Sequence, residues 1–225
     1  MTEFLRFPRT PHLAWLADGQ PRGDKLLAPH EVAELLSHEV VVEEKLDGAN
    51  IGISIGADGD VRVQNRGAFL TWDALHPQFR PLRQWIAMRR YRLSDALGAG
   101  LILFGEWCYA KHSVHYTRLP DWFIAFDVYD RAARQFWSVD RRNVLARELE
   151  VTAVPEVARG TFDLPGIKAL LGPSHFADEP AEGLYVRWDE RGVLERRAKL
   201  VRAEFTQAID EHWSAGGMVA NCRVR

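Results

Sequence analysis

The sequence predicts an α+β fold, with antiparallel sheets flanked by helices, rather than a strictly alternating βαβ array. Three observations carry this. Short apolar runs recur in pairs around turn signals, Asp58-Gly59 and Glu190-Arg191-Gly192, which is hairpin chemistry. Helical periodicity is confined to a few separated stretches. No repeat, low-complexity tract or Pro/Gly-rich linker divides the 225 residues, a length that suits one domain or a small pair.

Taken in order, Pro29 to Leu36 predicts a short helix, with proline in the first turn and Val32, Leu35 and Leu36 apolar. Glu39 to Lys45 is a valine-rich strand. Ile51 to Ile55 and Val61 to Asn65 flank the Asp58-Gly59 turn. Gln78 to Leu97 predicts a helix, with Leu82, Trp85, Ile86, Arg89 and Leu93 at helical spacing. Strands follow at Leu101 to Trp107, Trp122 to Tyr129 and Gln135 to Val139. Asp140 to Glu150 reads as a helix capped by Asp140, and Phe162 to Leu171 as a second short one. Leu184 to Trp188 and Val193 to Val201 form a further hairpin, and Ala203 to Trp213 a last helix.

Composition narrows the function classes. A net charge of −2 excludes a simple polycation that coats nucleic acid. The cations are 24 arginines against five lysines, and arginine offers a planar, permanently charged fork suited to phosphate. No apolar run approaches a membrane span, and the first fifteen residues lack the pattern of a signal peptide. Cys108 and Cys222, far apart and in no metal-ligand spacing, fit a reducing cytoplasm.

The chemistry concentrates in short motifs. Glu44-Lys45-Leu46-Asp47-Gly48 ends a strand; a lysine amine attacks only when neutral, and burial or a nearby cation lowers its pKa towards that state. Gly48 allows a sharp turn and close approach to a ligand. By itself the motif is equally an ordinary Asp-Gly turn. In order after it come Arg66-Gly67, Phe104-Gly105-Glu106-Trp107, a strand carrying Phe126 and Asp127, Glu182-Gly183, and Arg196-Arg197-Ala198-Lys199. Phe126 is either a stacking surface for a purine or a core residue.

This ordered set, spanning Glu44 to Arg202, resembles the covalent nucleotidyltransferases, and within them the ATP-dependent RNA ligases of the phage type-2 class. The resemblance implies an adenylyltransferase domain of the ATP-grasp-like ligase kind, and an enzyme that joins RNA ends, including nicked duplexes, in three steps. Lys45 takes AMP from ATP, AMP passes to a 5′-phosphate, and a 3′-hydroxyl displaces it. It further implies that Glu44 and Asn50 help read the adenosine, that Arg66 holds the ribose or the nucleic-acid end, and that Glu106 contacts the ribose hydroxyls. Phe126 would stack on adenine, Glu182 would organise a metal with Glu106, and Lys199 would touch the α-phosphate.

Two positions depart from the family pattern. Arg197 stands where a lysine is usual, keeping the charge without the capacity to give up a proton. Arg187 stands where related ligases carry lysine. Arg197 and Lys199 are nonetheless expected to supply the cations that stabilise charge on the phosphorus. Mg2+ or Mn2+ is expected, since two isolated acids suit a cation that keeps most of its waters. The loop Lys111-His112-Ser113-Val114-His115 either lines the site or is a solvated loop, and it makes a poor zinc site.

Residues 200–225 are too few for an OB-fold or helical domain. The expectation is therefore a single nucleotidyltransferase domain over 1–225, either a bare catalytic domain or one that borrows nucleic-acid affinity from a partner protein. A DNA-nick-joining relative and a non-catalytic nucleotide- or RNA-binding module remain the alternatives.

Overall fold

The computed structural model describes residues 3–19, 26–207 and 218–224. Two antiparallel sheets dominate it. The first has four strands: β1 (Val40–Lys45), β7 (Glu156–Gly160), β8 (Gly183–Glu190) and β9 (Val193–Val201), in the order β7-β1-β8-β9. The second has five: β2 (Ala49–Ile55), β3 (Val61–Gln64), β4 (Leu101–Trp107), β5 (Phe123–Asp130) and β6 (Gln135–Phe136), in the order β3-β2-β4-β5-β6.

Strand alternation gives each sheet an apolar outer face and a more mixed inner one, where Ile102 and Phe104 of the second sheet pack with Phe7 beside the polar groups. On the first sheet, Val40 and Val42 join Leu184, Val186, Ala198 and Leu200 beneath α1 (Pro29–Leu36) and α4 (Leu164–Ala169). On the second, Ile51, Ile53 and Leu103 pack with Leu82, Trp85, Ile86 and Leu93 of α2 (Arg80–Leu97). The intervening residues, among them Glu43, Lys45, Asn50 and Glu106, are left to face the space between the sheets. The functional groups sit there because the apolar periodicity reserves the other faces for the core.

The expected elements are present, with instructive differences. The helix α3 (Val139–Glu148) is capped by Ser138, whose Oγ accepts from the Arg141 amide at 3.4 Å; Asp140 lies inside the first turn and pairs with Arg159 at 2.9 Å. The strand expected to reach Val139 stops at Phe136, because residues 137–139 turn into that cap. Similarly α4 begins at Leu164, where Asp163 Oδ1 accepts from Gly166 N at 2.8 Å. The edge strand β7 was not expected: its sequence, Glu-Val-Ala-Arg-Gly, carries little apolar alternation and is held by pairing with β1. Of the helix expected over Ala203 to Trp213, α5 covers Ala203–Gln207, and residues 208–213 lie outside the described residues. Among the described residues no helix is long and apolar enough to cross a membrane.

Candidate active site

Lys45 is the last residue of β1. The chain then crosses through Leu46, Asp47 and Gly48 and enters the other sheet at Ala49. This crossing is the seam around which the site is built. Gly48 has to be glycine, since a Cβ there would lie 2.6 Å from the Trp107 carbonyl oxygen. The close approach brings β4 alongside, and the Gly48 amide donates to Glu106 Oε1 at 3.0 Å. On the other side Lys45 is the register partner of Gly183, where a Cβ would meet the Leu200 carbonyl at 2.1 Å. Glu182, immediately before β8, thereby reaches Lys45, and Oε2 lies 2.5 Å from Nζ.

The acids and the amine share a cavity of about 300 Å³ lined also by Asn50, Arg66, Phe126 and Lys199. Residues 44–50, Arg66, Glu106, Phe126, Glu182 and Lys199 are widely spaced in sequence, and the two sheets bring them to one place. Phe126 arrives by a specific device. Phe104 pairs with Asp127 but Gly105 pairs with Ala125, so Phe126 is the extra residue of a β-bulge, which turns its side chain out of the regular alternation. Phe7 packs edge-on against its ring at a centroid distance of 5.2 Å. Asn50, opposite Glu106 in the ladder, has its Oδ1 buried with no hydrogen-bond partner, a polar group suited to a ligand.

Electrostatically the cavity mixes signs: Asp47, Glu106 and Glu182 stand about Lys45, and Arg9, Arg66 and Lys199 line the same wall. Burial pushes the Glu106 carboxyl up to about 8, with Glu182 and Asp47 adding to the rise against the opposing pull of Lys45. Burial likewise pushes Glu182 up to about 7. For Lys45, burial pulls the pKa down, but the charges of Glu182, Tyr185, Asp47 and Glu106 outweigh it and hold the amine well above its ordinary value. The ligand-free amine is therefore charged. The nearest group to Nζ is the Glu182 carboxylate; the neutral amine expected opposite a bound triphosphate is a property of the nucleotide complex.

Some expected residues lie elsewhere. The Glu44 carboxylate, 1% exposed, accepts from Ser174 Oγ at 2.5 Å and from the His175 backbone amide at 2.9 Å, and contacts His175 Nδ1 at 2.8 Å. Glu44 borders the cavity, yet its charged end is committed to the loop before Glu182. Arg197 is not in the cavity lining. Its guanidinium stacks on Phe7 and Phe136 at 4.5 and 4.4 Å and pairs with Asp127. Arg187 is 3% exposed and binds Asp127 at 2.7 Å. Asp127 is thus the anchor of two arginines rather than a group open to the cavity. With Glu43 and Arg142, which meet at 2.6 Å, these residues tie the two sheets together behind Phe126. The Phe126 carbonyl accepts from Arg142 at 2.8 Å and Arg187 at 3.2 Å.

Arg9, Thr10, Asp47 and Tyr185 line the cavity without having been singled out as site residues. Tyr185 was discoverable, since it faces Lys199 across the last hairpin. Arg9 and Thr10 were not: they lie in an irregular segment that docks beside β9 through the Leu13 amide and the Lys199 carbonyl at 2.7 Å. The 111–115 loop touches the site indirectly. Its Ser113 and Val114 amides donate to Asp47 Oδ2 at 2.5 and 3.3 Å. Among the described residues no three His, Cys, Asp or Glu side chains converge as a metal cage.

A family model described as RNA ligase matches residues 38–201, well over half of the chain. No curated protein matches the sequence significantly. Solved structures do resemble the fold, among them mutants of the Naegleria gruberi RNA ligase. An arginine-to-alanine mutant with ATP and Mn is 21% identical, with TM-score 0.62, covering 80% of this chain and 55% of that one. A lysine-to-alanine mutant with ATP and Mn is 18% identical, with TM-score 0.62 and coverage of 89% and 62%. A lysine-to-methionine mutant with AMP and Mn is 20% identical, with TM-score 0.59 and coverage of 90% and 63%. The chain spans between half and two thirds of the length of these three structures.

Proposed function

The chain belongs to the RNA ligase family, and on that premise we propose that it is an ATP-dependent enzyme that joins RNA ends through a covalent AMP adduct on Lys45. One observation carries the reading: a part-buried lysine amine 2.5 Å from Glu182 opens into a cavity that also holds Glu106, Phe126 and Lys199.

In the first step Lys45 Nζ, having lost its proton, forms a bond to the α-phosphorus of ATP while the bond to the bridging oxygen breaks and pyrophosphate departs. Lys199 is the cation placed to offset negative charge on the non-bridging oxygens. Phe126 offers its ring to the adenine, and Asn50 and Arg66 bind the nucleoside and the phosphate or RNA end. The adenylyl group then passes to an RNA 5′-phosphate, freeing Lys45, and attack by a 3′-hydroxyl releases AMP and seals the strand. The amine must become neutral for the first step, which a cation held by the neighbouring carboxylates would favour by offsetting the charges that hold its pKa up.

The site fits a divalent cation, because two part-buried carboxylates, Glu106 and Glu182, line one cavity and leave room for water to complete a shell. Glu106 and Glu182 would hold it, with water completing the shell, and it would neutralise the carboxylates and polarise the phosphate. Related structures solved with ATP and Mn support the same pairing of nucleotide and metal.

Incubation with α-labelled ATP and magnesium, followed by a denaturing gel, tests the proposal. The expected result is a labelled band at the protein's mass that Lys45→Ala abolishes; a protein that binds ATP but takes no covalent label would overturn it. Transfer of that label to 5′-phosphorylated RNA in preference to a nicked DNA duplex tests the choice of strand.

A further inference from the structure

The segment at 218–224 is wired to the loop over residues 108–116, which holds the turn after Lys45, and we infer that Asn221 is a positioning residue for Lys45's neighbours, acting through Tyr116 and Asp47. This rests on the reading of Lys45 as the adenylylated residue.

Asn221 is 4% exposed, and the three hydrogen bonds of its side-chain amide converge on one loop. Nδ2 donates to the carbonyls of Cys108 at 2.8 Å and Ala110 at 3.1 Å, and Oδ1 accepts from the Tyr116 amide at 3.0 Å. The backbone continues the attachment. Asn221 N donates to Tyr109 O at 2.9 Å, and Cys222 N to Tyr116 O at 2.8 Å. Such a fully satisfied buried amide fixes the path of the chain on both sides, because any shift leaves a polar group unpaired.

Residues 108–116 in turn cradle the turn after Lys45. Tyr116, fully buried, places its Oη to accept from the Asp47 amide at 2.7 Å. The Ser113 and Val114 amides close on the Asp47 carboxylate from the other side. Asp47 is thus gripped at its backbone and its side chain by one loop, and that loop is gripped by Asn221. One residue further on, the Gly48 amide donates to Glu106 Oε1 at 3.0 Å. The chain of contacts therefore runs from Asn221 to the two residues that follow Leu46 and sets where Lys45 and Glu106 stand relative to each other. Asn221 itself is not among the residues lining the cavity, so it has no contact through which to bind the nucleotide.

Positioning and mere packing make different predictions. Asn221→Ala and Tyr116→Phe each remove one link, the second while keeping the ring in the core. In full-length protein, hydrogen–deuterium exchange of the 46–50 amides should accelerate in both variants, while β8 and β9 keep their protection. The single-turnover rate of lysyl–AMP formation should fall on the order of 10- to 100-fold, the scale expected from small misplacement of reacting groups, with little change in the ATP concentration for half-maximal rate. The double variant should be no slower than the slower single one, since both cut the same chain. Unchanged exchange at 46–50 in Tyr116→Phe, or losses that multiply in the double variant, would overturn the inference. If the wild-type protein took no label, the reading of Lys45 would fall, while the exchange measurement would still decide the mechanical link.

Discussion

Two clusters of buried charge lie within a few residues of each other along β1, and they are built on opposite principles. Around Glu43, the carboxylates of Glu43, Asp127 and Asp189 face the guanidinium groups of Arg142, Arg187 and Arg197, three against three. Remaining N–H groups of Arg142 and Arg187 reach the carbonyls of Phe126 and Trp137. Two residues on, around Lys45, the charges line a cavity instead of closing on one another: Glu106, Glu182 and Asp47 stand about the ammonium, Arg9, Arg66 and Lys199 share the wall, and burial raises the pKa of Glu106 and Glu182. A closed charge cluster holds structure; one whose charged groups line a cavity is open to a ligand. Exposure separates them, since Arg142 and Glu43 are 0% and 2% exposed while Lys45 and Glu182 are 17% and 13%.

The largest effect that tests this contrast is on the open cluster. Glu106→Gln keeps an oxygen to accept from the Gly48 amide but removes the charge. Lysyl–AMP formation should fall about 10²-fold, on the scale of losing one electrostatic group in a reaction centre. The same change should help the empty protein at high pH. Glu106 is raised from 4.5 to about 8 in the fold, so the native state holds a proton that the unfolded chain has released across that window. The stability it contributes is fully present below pH 4.5 and is lost as pH rises through about 8. Thermal melts of ligand-free protein should show this decline in the wild type and a flatter profile in Glu106→Gln. A variant that melts lower at pH 8 than the wild type would break the contrast.

An intermediate effect is expected from the closed cluster. Arg142→Met leaves Glu43 without its hydrogen-bond donor and the Phe126 carbonyl with Arg187, and should lower the unfolding free energy by about 3–5 kcal/mol, as for breaking a buried pair from one side. Urea titration measures it. Adenylylation by the folded fraction should fall far less than in Glu106→Gln. The smallest effect belongs to a third kind of pair, Arg90 with Asp60, 2.7 Å apart but more than half exposed. Arg90→Ala should change stability by less than about 1 kcal/mol and leave labelling intact.

The same contrast explains what was legible in the sequence. The strands β1, β2, β4, β8 and β9 follow from apolar alternation and hairpin turns, and α1 from its periodicity and leading proline. β7 was not legible, because an edge strand of Glu-Val-Ala-Arg-Gly owes its form to the neighbour it pairs with. The motif residues were visible as types in order, but sequence does not reveal which way a side chain faces when both faces carry charge. Glu44 and Lys45 are adjacent, and alternation sends their side chains to opposite faces of β1. Arg197 and Lys199 are two apart and share a face, yet Asp127 and two phenylalanine rings claim the first. Nor could the charge state of Lys45 be read in advance, since it depends on acids 61 and 137 positions away that only folding gathers.

The crossing from β1 to β2 has a mechanical corollary. Three residues join the sheets, and their backbone is clamped at Asp47 and Gly48, so the nucleophile has almost no tether of its own to absorb motion. Any hinge between the sheets would be transmitted directly into the distance separating Nζ from whatever rests on β4 and β5. A rigid seam makes the spacing of the reactants a property of the whole framework, with no local loop available to correct it.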